Sequence, residues 1–346
     1  MGERKGGRLA AVLDGEVQTP PPVWLMRQAG RYLPEYRNAR AKAGSFWNLC
    51  MNPQAAAEVT LQPVKRFGVD AAILFSDILL VPHALGRKVT FEEGIGPRVE
   101  RTVSIDELTR ETDAWRQRLK PAYEALTVVA GELDANTDLI GFAGGPWTLA
   151  SYMAEGQGSV DQREARLLGY RDPAAFGDFL EAIGDCVAMH LCQQIQAGAT
   201  LVQIFDSWAG GLPERAFLDW VIVPTRRVVE AVRKSSAHAT IIGFPRGATL
   251  EGYRTYARET GVDAVSLDTA VPMRWAAREL GAHAALQGNL DPVLLLAGGT
   301  SMREEIDRLL SATAEVPFIA NLGHGVLPET PVEHVAEFIE RIRSAR

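Results

Sequence analysis

Cysteine is scarce: Cys50, Cys186 and Cys192 are the only three in 346 residues. They cannot all pair within one chain and form no CxxC, so no disulfide framework organises the fold. Cys186 and Cys192 lie six apart in a helical stretch, a poor spacing for metal ligands and an ordinary one for buried small side chains. Reduced thiols in a cytoplasmic protein are the simplest reading. Long apolar runs are missing too. The stretches at 71–75 and 78–81 are separated by Ser76 and Asp77, and neither approaches the roughly 20 residues that span a bilayer. Residues 9–13 are too few for the apolar segment of a secretory signal.

Positive charge is not in excess either: 36 basic side chains face 43 acidic ones, for a formal net charge of -7. That balance argues against a general nucleic-acid binder, which presents a basic stripe. It leaves room for an anionic small substrate, because a few arginines inside a cavity can oppose the global sign. Glycine-rich nucleotide loops are absent: Gly141, Gly144 and Gly145 do not make GxGxxG, and no GxxxxGK[ST] occurs. The six histidines fall without HxH or HExxH, and no GxSxG elbow surrounds a serine. Dinucleotide chemistry, nucleotide hydrolysis, zinc hydrolysis and serine acyl transfer each lack their usual carrier.

What the chain does contain is an alternation. Short apolar runs at 23–26, 71–75, 139–143, 201–205, 240–244, 264–267, 284–287 and 318–320 are separated by longer amphipathic stretches. Lacking strict polar alternation, these runs suit parallel strands covered on both faces. Helices fit between them. Asn52 and Pro53 open one that stops at Gly68, and Asp172 and Pro173 open another that reaches Ala197 before Gly198; two more run over about 301–310 and 331–342. The predicted class is α/β, a single-domain (β/α)8 TIM barrel over 20–346 behind an amino-terminal extension at 1–19. An extended first crossover runs from Gly30 to Asp70. Segments 88–91 and 98–101, joined by a turn at 94–97, predict an additional hairpin.

Polar residues follow the runs: Arg27, Asp77, Gly144 to Pro146, Asp206 and Ser207, Arg246, Asp268, Asn289, and Asn321 through His324. In a barrel these would converge at the carboxyl ends of the strands, where barrel enzymes place their active sites. Arg27 and Arg31, four apart, would share one face of a helical turn and form a fork for carboxylates; pairing with acids such as Glu35 or Asp70 is the structural alternative. Asp77 lies between two apolar stretches and must find a partner or water. It either caps a turn or neutralises an arginine, or it accepts N–H bonds from a ligand and stabilises a cationic intermediate. His324, between Gly323 and Gly325, is a turn residue or a ring donor to a carboxylate. Tyr152 and Ser207 offer hydroxyls to a ligand or to local structure, and His190, in an apolar helix, reads as structural.

These motifs carry a family resemblance. PPVWLMRQAGRYLPEY at 21–36 closely resembles the amino-terminal signature of the uroporphyrinogen decarboxylase family, and GFAGGPWTL at 141–149 resembles its second signature. FDSWAG at 205–210 and NLGHG at 321–325 supply later matches, so the resemblance runs from about residue 20 to 342. It implies a cytoplasmic, homodimeric barrel enzyme of tetrapyrrole and heme biosynthesis that needs neither metal nor prosthetic group. Such an enzyme converts uroporphyrinogen III, through partially decarboxylated intermediates, to coproporphyrinogen III by turning four acetate groups into methyl groups. Carried over position by position, the resemblance implies Asp77, Arg27 and Arg31 as catalytic residues. It implies the same three with Tyr152, Ser207 and His324 as substrate contacts, and Gln28, Phe205 and Arg246 as further pocket positions. Two other functions compete. A zinc-dependent methyltransferase on the same barrel would need a His and Cys ligands near the later strands, whereas His324 is followed by Gly325 and Val326 and the cysteines lie elsewhere. A noncatalytic tetrapyrrole carrier accounts for the arginines but not for so many polar strand ends. Neither nucleic acid nor stable membrane insertion is expected.

Overall fold

The computed structural model describes residues 6–92 and 96–345. Among them nine strands form: β1 (Ala71–Ile73), β2 (Val89–Glu92), β3 (Gly96–Val99), β4 (Asp138–Gly144), β5 (Leu201–Asp206), β6 (Ile241–Pro245), β7 (Ala264–Ser266), β8 (Ala285–Leu290) and β9 (Phe318–Leu322). Seven make one sheet, every pair parallel, in the order β1-β4-β5-β6-β7-β8-β9. Their alternate residues separate two apolar clusters. Ile140, Leu201, Ile242, Ala264, Ala285 and Ile319 face one another inside the ring. Leu139, Val202, Ile241, Val265, Leu286 and Phe318 pack outward under the helices. Burial on both faces is why these strands read as unbroken apolar runs.

The run at 23–26, expected as the first strand, makes only one parallel bridge, from Val23 to Ala320 on β9. Ala320 N–H donates to the Pro22 carbonyl at 2.9 Å, and on the other side Asp70 N–H donates to the Val23 carbonyl at 2.9 Å. The Val23 N–H is taken by the Asp70 carboxylate at 2.8 Å rather than by a backbone carbonyl. Pro21 and Pro22 have no N–H to extend the ladder. This extended segment nevertheless occupies the eighth position and curls the sheet toward closure, giving the single-domain α/β barrel that the strand count predicts.

One end of the ring is plugged. Helix α1 (Arg8–Leu13) buries Leu9, Val12 and Leu13 against the interior cluster. Its free N–H groups are satisfied from a distance: the Asp138 carboxylate accepts from Gly7 at 2.8 Å and from Leu9 at 2.9 Å. The stretch expected as an extension thus supplies the barrel floor, and Arg8 pairs with Asp70 beside the bridge at 3.1 Å. The opposite end, toward which all the strands point, stays open.

The long first crossover holds α2 (Pro34–Ala43), α3 (Phe46–Cys50) and α4 (Pro53–Phe67). Asn52 caps α4 by accepting the Ala55 N–H at 3.0 Å, and Gly68 ends it in the left-handed region. After α5 (Leu80–Ala84), β2 and β3 pair antiparallel as the predicted hairpin; of its expected turn at 94–97, residues 94 and 95 lie outside the described residues and 96 and 97 belong to β3. Then come α6 (Thr112–Glu132), α7 (Pro146–Glu155), α8 (Arg163–Arg171) and α9 (Pro173–Gln196), the last capped by Asp172 through the Ala175 N–H at 3.0 Å. His190, buried in α9, lies 3.1 Å from the Tyr123 hydroxyl, and burial pushes its pKa down to about 3, as befits a neutral structural ring. Helices Val223–Ser235, Leu250–Glu259, Met273–Leu280, Gly299–Thr313 and Val332–Arg343 continue the outer layer. Among the described residues no helix is long and apolar enough to cross a membrane.

Candidate active site

Arg27 does not sit in the helical turn expected of it. Its φ is +59°, in the left-handed region. Gln28 N–H closes a turn around it on the Leu25 carbonyl at 3.0 Å, and the turn is anchored from afar: Met26 N–H donates to Asn321 Oδ1 at 3.0 Å, and the Met26 carbonyl accepts from Val326 N–H at 2.9 Å. Arg27 and Arg31 therefore share no helix face, although each lies within range of the other's charge. The acids that might have neutralised them are committed elsewhere. Glu35 pairs with Arg66 at 2.6 Å and Asp70 with Arg8 at 3.1 Å. Arg31 is exposed, and Arg27 reaches solvent at the open end while its stem lies over Gly325.

Gln28 is turned into the barrel wall. It is 1% exposed, its Oε1 accepts the Leu25 N–H at 3.1 Å, and its Nε2 donates to the Ala71 carbonyl at 3.0 Å. A side chain with both ends bonded inside the wall is a strut under the arginine turn.

Asp77 follows β1 and is half-buried. One oxygen caps a turn, accepting the Leu79 N–H at 2.8 Å. Burial raises the carboxyl to about 6, against the downward pull of that bond and of the Arg27 charge. Tyr152, on α7, packs its ring edge-on to Trp208 at 5.9 Å. Burial raises its hydroxyl pKa first of all, and Asp77 and Arg27 then act in opposite directions. Arg27, Asp77 and Tyr152 thus form one electrostatic cluster at the open end.

Phe205, at the end of β5, stands inside the ring between Phe142 at 5.5 Å and Phe244 at 6.2 Å. Ser207 follows it, half-buried, and its carbonyl accepts from exposed Arg246 at 3.5 Å. His324, after β9, completes the ring of groups. Burial, and then the charges of Arg27 and Arg246, push its pKa down to about 3. At neutral pH the imidazole is uncharged and keeps one N–H to donate.

The model of the family described as uroporphyrinogen decarboxylase (URO-D) matches residues 5–345. The chain belongs to that family. It is 50% identical over 346 residues to the uroporphyrinogen decarboxylase of Chelativorans sp. (strain BNC1), covering 100% of both chains. It is 49% identical over 334 residues to that of Mesorhizobium japonicum, covering 96% of this chain and 97% of the relative. Among solved structures, a methyltransferase from Methanosarcina mazei superposes with a TM-score of 0.81 over 97% of each chain at 19% identity, a likeness of fold.

Within this uroporphyrinogen decarboxylase fold, not every polar strand end faces the opening. Asp206 is fully buried and turned toward α7, where it accepts the N–H of Thr148 at 3.1 Å and the Thr148 hydroxyl. That hydroxyl also accepts from Trp208 N–H at 3.1 Å, so the α7 that carries Tyr152 and the loop that carries Ser207 are fastened together. Asp268 accepts from Gly247 N–H at 2.6 Å and from the Tyr253 hydroxyl at 3.0 Å, and Asn289 donates to the carbonyls of Asp268 and Val271 at 2.8 Å. These three hold loops rather than line the opening. Sequence reasoning underrated Thr148 and Asn321, whose partners lie far along the chain and leave no local pattern. For the zinc alternative, Cys50 lies in α3 and Cys186 and Cys192 in α9, and among the described residues no three His, Cys, Asp or Glu side chains are grouped to hold a metal. A cavity of about 490 Å³ on the outer layer, lined by Arg110, Trp115, Asp185 and Cys192 among others, belongs to the helix shell rather than to these groups.

Proposed function

We propose that the open end of this barrel carries out its family's reaction with Asp77 at the centre and Arg27, Arg31, Arg246 and His324 around it. The reaction is decarboxylation of the four acetate side chains of uroporphyrinogen III, giving coproporphyrinogen III and four carbon dioxide molecules. One observation carries the site reading: Arg27 stands within range of both Asp77 and Arg31 at the open end while Glu35 and Asp70 are bound to other arginines. Unmatched guanidiniums suit a ligand that brings its own carboxylates.

Breaking the bond to an acetate carboxylate leaves an electron pair that needs a sink. Protonation of a pyrrole carbon turns the ring into an iminium-like cation, and the pair flows into it as carbon dioxide departs, leaving an exocyclic methylene. A proton added to the methylene, and the ring proton lost, restore the pyrrole with a methyl group; each cycle consumes one proton. Ionised Asp77 accepts the pyrrole N–H bonds and lowers the energy of the cation. The arginines and the neutral His324 hold carboxylates, with Tyr152 and Ser207 adjusting position beside the aromatic wall of Phe205. We infer in addition a cytoplasmic homodimer, on the strength of the family resemblance.

Anaerobic incubation with uroporphyrinogen III in metal-free buffer, followed by separation of products by carboxyl number, tests the reaction directly. Stepwise loss of carboxyl groups is expected; unchanged substrate, or methyl transfer to a thiol in the presence of zinc, would overturn it. Arg31→Ala should lower kcat/KM chiefly through KM, and a normal KM would remove Arg31 from the substrate contacts.

A further inference from the structure

The left-handed conformation of Arg27 needs an explanation, because a side chain with a β-carbon is disfavoured there unless its surroundings over-determine it. Part of it is local, since Gln28 N–H donates to the Leu25 carbonyl at 3.0 Å and leaves Arg27 third in a tight turn; the 321–326 segment then anchors that turn. Asn321, at 0% exposure on β9, receives the Met26 N–H on Oδ1 at 3.0 Å, and the same oxygen accepts the Leu322 N–H at 2.7 Å. Val326 N–H closes the other side of Met26 at 2.9 Å. The side chain of Arg27 then crosses Gly325. A β-carbon on Gly325 would lie 2.3 Å from Arg27 Cδ, 2.6 Å from Cγ and 2.9 Å from Nε, closer than packed atoms can come. Gly325 has no positive φ, so its backbone would accept another residue; it is the arginine stem above it that would not.

We propose that Asn321 and Gly325 are positioning residues for Arg27, the first anchoring the turn that carries it and the second clearing the path of its side chain. The 321–325 segment then does two jobs: it presents His324 to the substrate and seats the arginine opposite. Neither Asn321 nor Gly325 touches the substrate in this scheme; both act through where the Arg27 guanidinium ends. The inference rests on the reading that Arg27 binds a substrate carboxylate.

A double-mutant cycle separates positioning from general structural damage. Gly325→Ala displaces the Arg27 stem, and a misplacement of about 1 Å at a binding group can cost on the order of 100-fold in rate. Gly325→Ala is therefore expected to lower kcat/KM by about that factor in the otherwise native enzyme, and to add nothing to the loss already caused by Arg27→Ala. Asn321→Ala should show the same non-additivity, and supplies the cycle if Gly325→Ala does not fold. A full multiplicative loss in the Arg27→Ala background, or native kcat/KM for Gly325→Ala or Asn321→Ala, overturns the positioning role. Native kcat/KM for Arg27→Ala itself is a different failure: it strikes down the site reading, and this inference falls with it.

Discussion

Asp77 keeps its proton up to a pH of about 6 because burial penalises the carboxylate more than the Leu79 N–H bond and the Arg27 charge favour it. If the ionised form stabilises the substrate cation, activity must rise with pH through that value and be lost below it. The expected kcat/KM profile has an acid limb near 6, and Asp77→Asn removes the limb while lowering turnover by about 100- to 1000-fold. Native turnover in Asp77→Asn would remove the aspartate from the chemistry. His324 should contribute no limb near the usual histidine value of about 6.5, since burial and two arginines hold it neutral well above a pKa of about 3. At this scale the sequence showed which residue types were present but not their conformations. The four-residue spacing of Arg27 and Arg31 suggested a helical face, whereas Arg27 is left-handed in a turn closed by Gln28 on Leu25 and anchored at Met26 by Asn321 and Val326, some 300 positions away. Gln28, a pocket position by its place in a motif, is a strut by its bonds.

Helix α7 is set in place by a buried acid. Asp206 caps its first turn through Thr148, yet its other oxygen, Oδ2, is buried and has no hydrogen-bond partner among the described residues. Burial accordingly raises its pKa from the ordinary aspartate value of 3.8 to about 7. The folded state thus holds a proton that the unfolded chain has released between those values. Stability from this group is full below about pH 4 and is lost as pH rises through about 7. Asp206→Asn should flatten that slope and raise the melting temperature at pH 8 relative to pH 5; equal slopes in thermal melts of the two proteins would refute it. Helix α1 makes the second prediction at this scale. Leu9 is 0% exposed within the floor of the ring, so Leu9→Ala should cost about 2–5 kcal/mol in denaturant titration. A loss below about 0.5 kcal/mol would mean the floor does not depend on α1. Strand positions were readable because burial on both faces leaves a local apolar run. The role of α1 was not, since its cap is Asp138, more than a hundred residues downstream.

The whole molecule carries a formal charge of -7, yet its open end gathers Arg27, Arg31 and Arg246. A polyanionic substrate is repelled by the average and drawn in by the local field, and only the near field survives screening at a Debye length of about 8 Å in physiological salt. Raising ionic strength toward about 0.15 M should therefore lower kcat/KM while leaving kcat nearly unchanged. A kcat/KM that rises with salt would mean the net charge governs approach and the arginine cluster does not. Closure of the barrel is likewise a property of the whole. Seven strands pair in order, and the eighth place is taken by a segment held by the Val23 bridge, the Asp70 carboxylate and the α1 floor.

By itself the sequence determined the alternation of elements, the barrel class, the family signatures and the set of candidate groups, because each is written in local periodicity or in a contiguous motif. Tertiary structure alone decided which strand-end polar groups face the opening, which acids are left for the arginines, and how Arg27 is seated. Those outcomes depend on partners brought together from opposite ends of the chain, and no local pattern of residues encodes such a meeting.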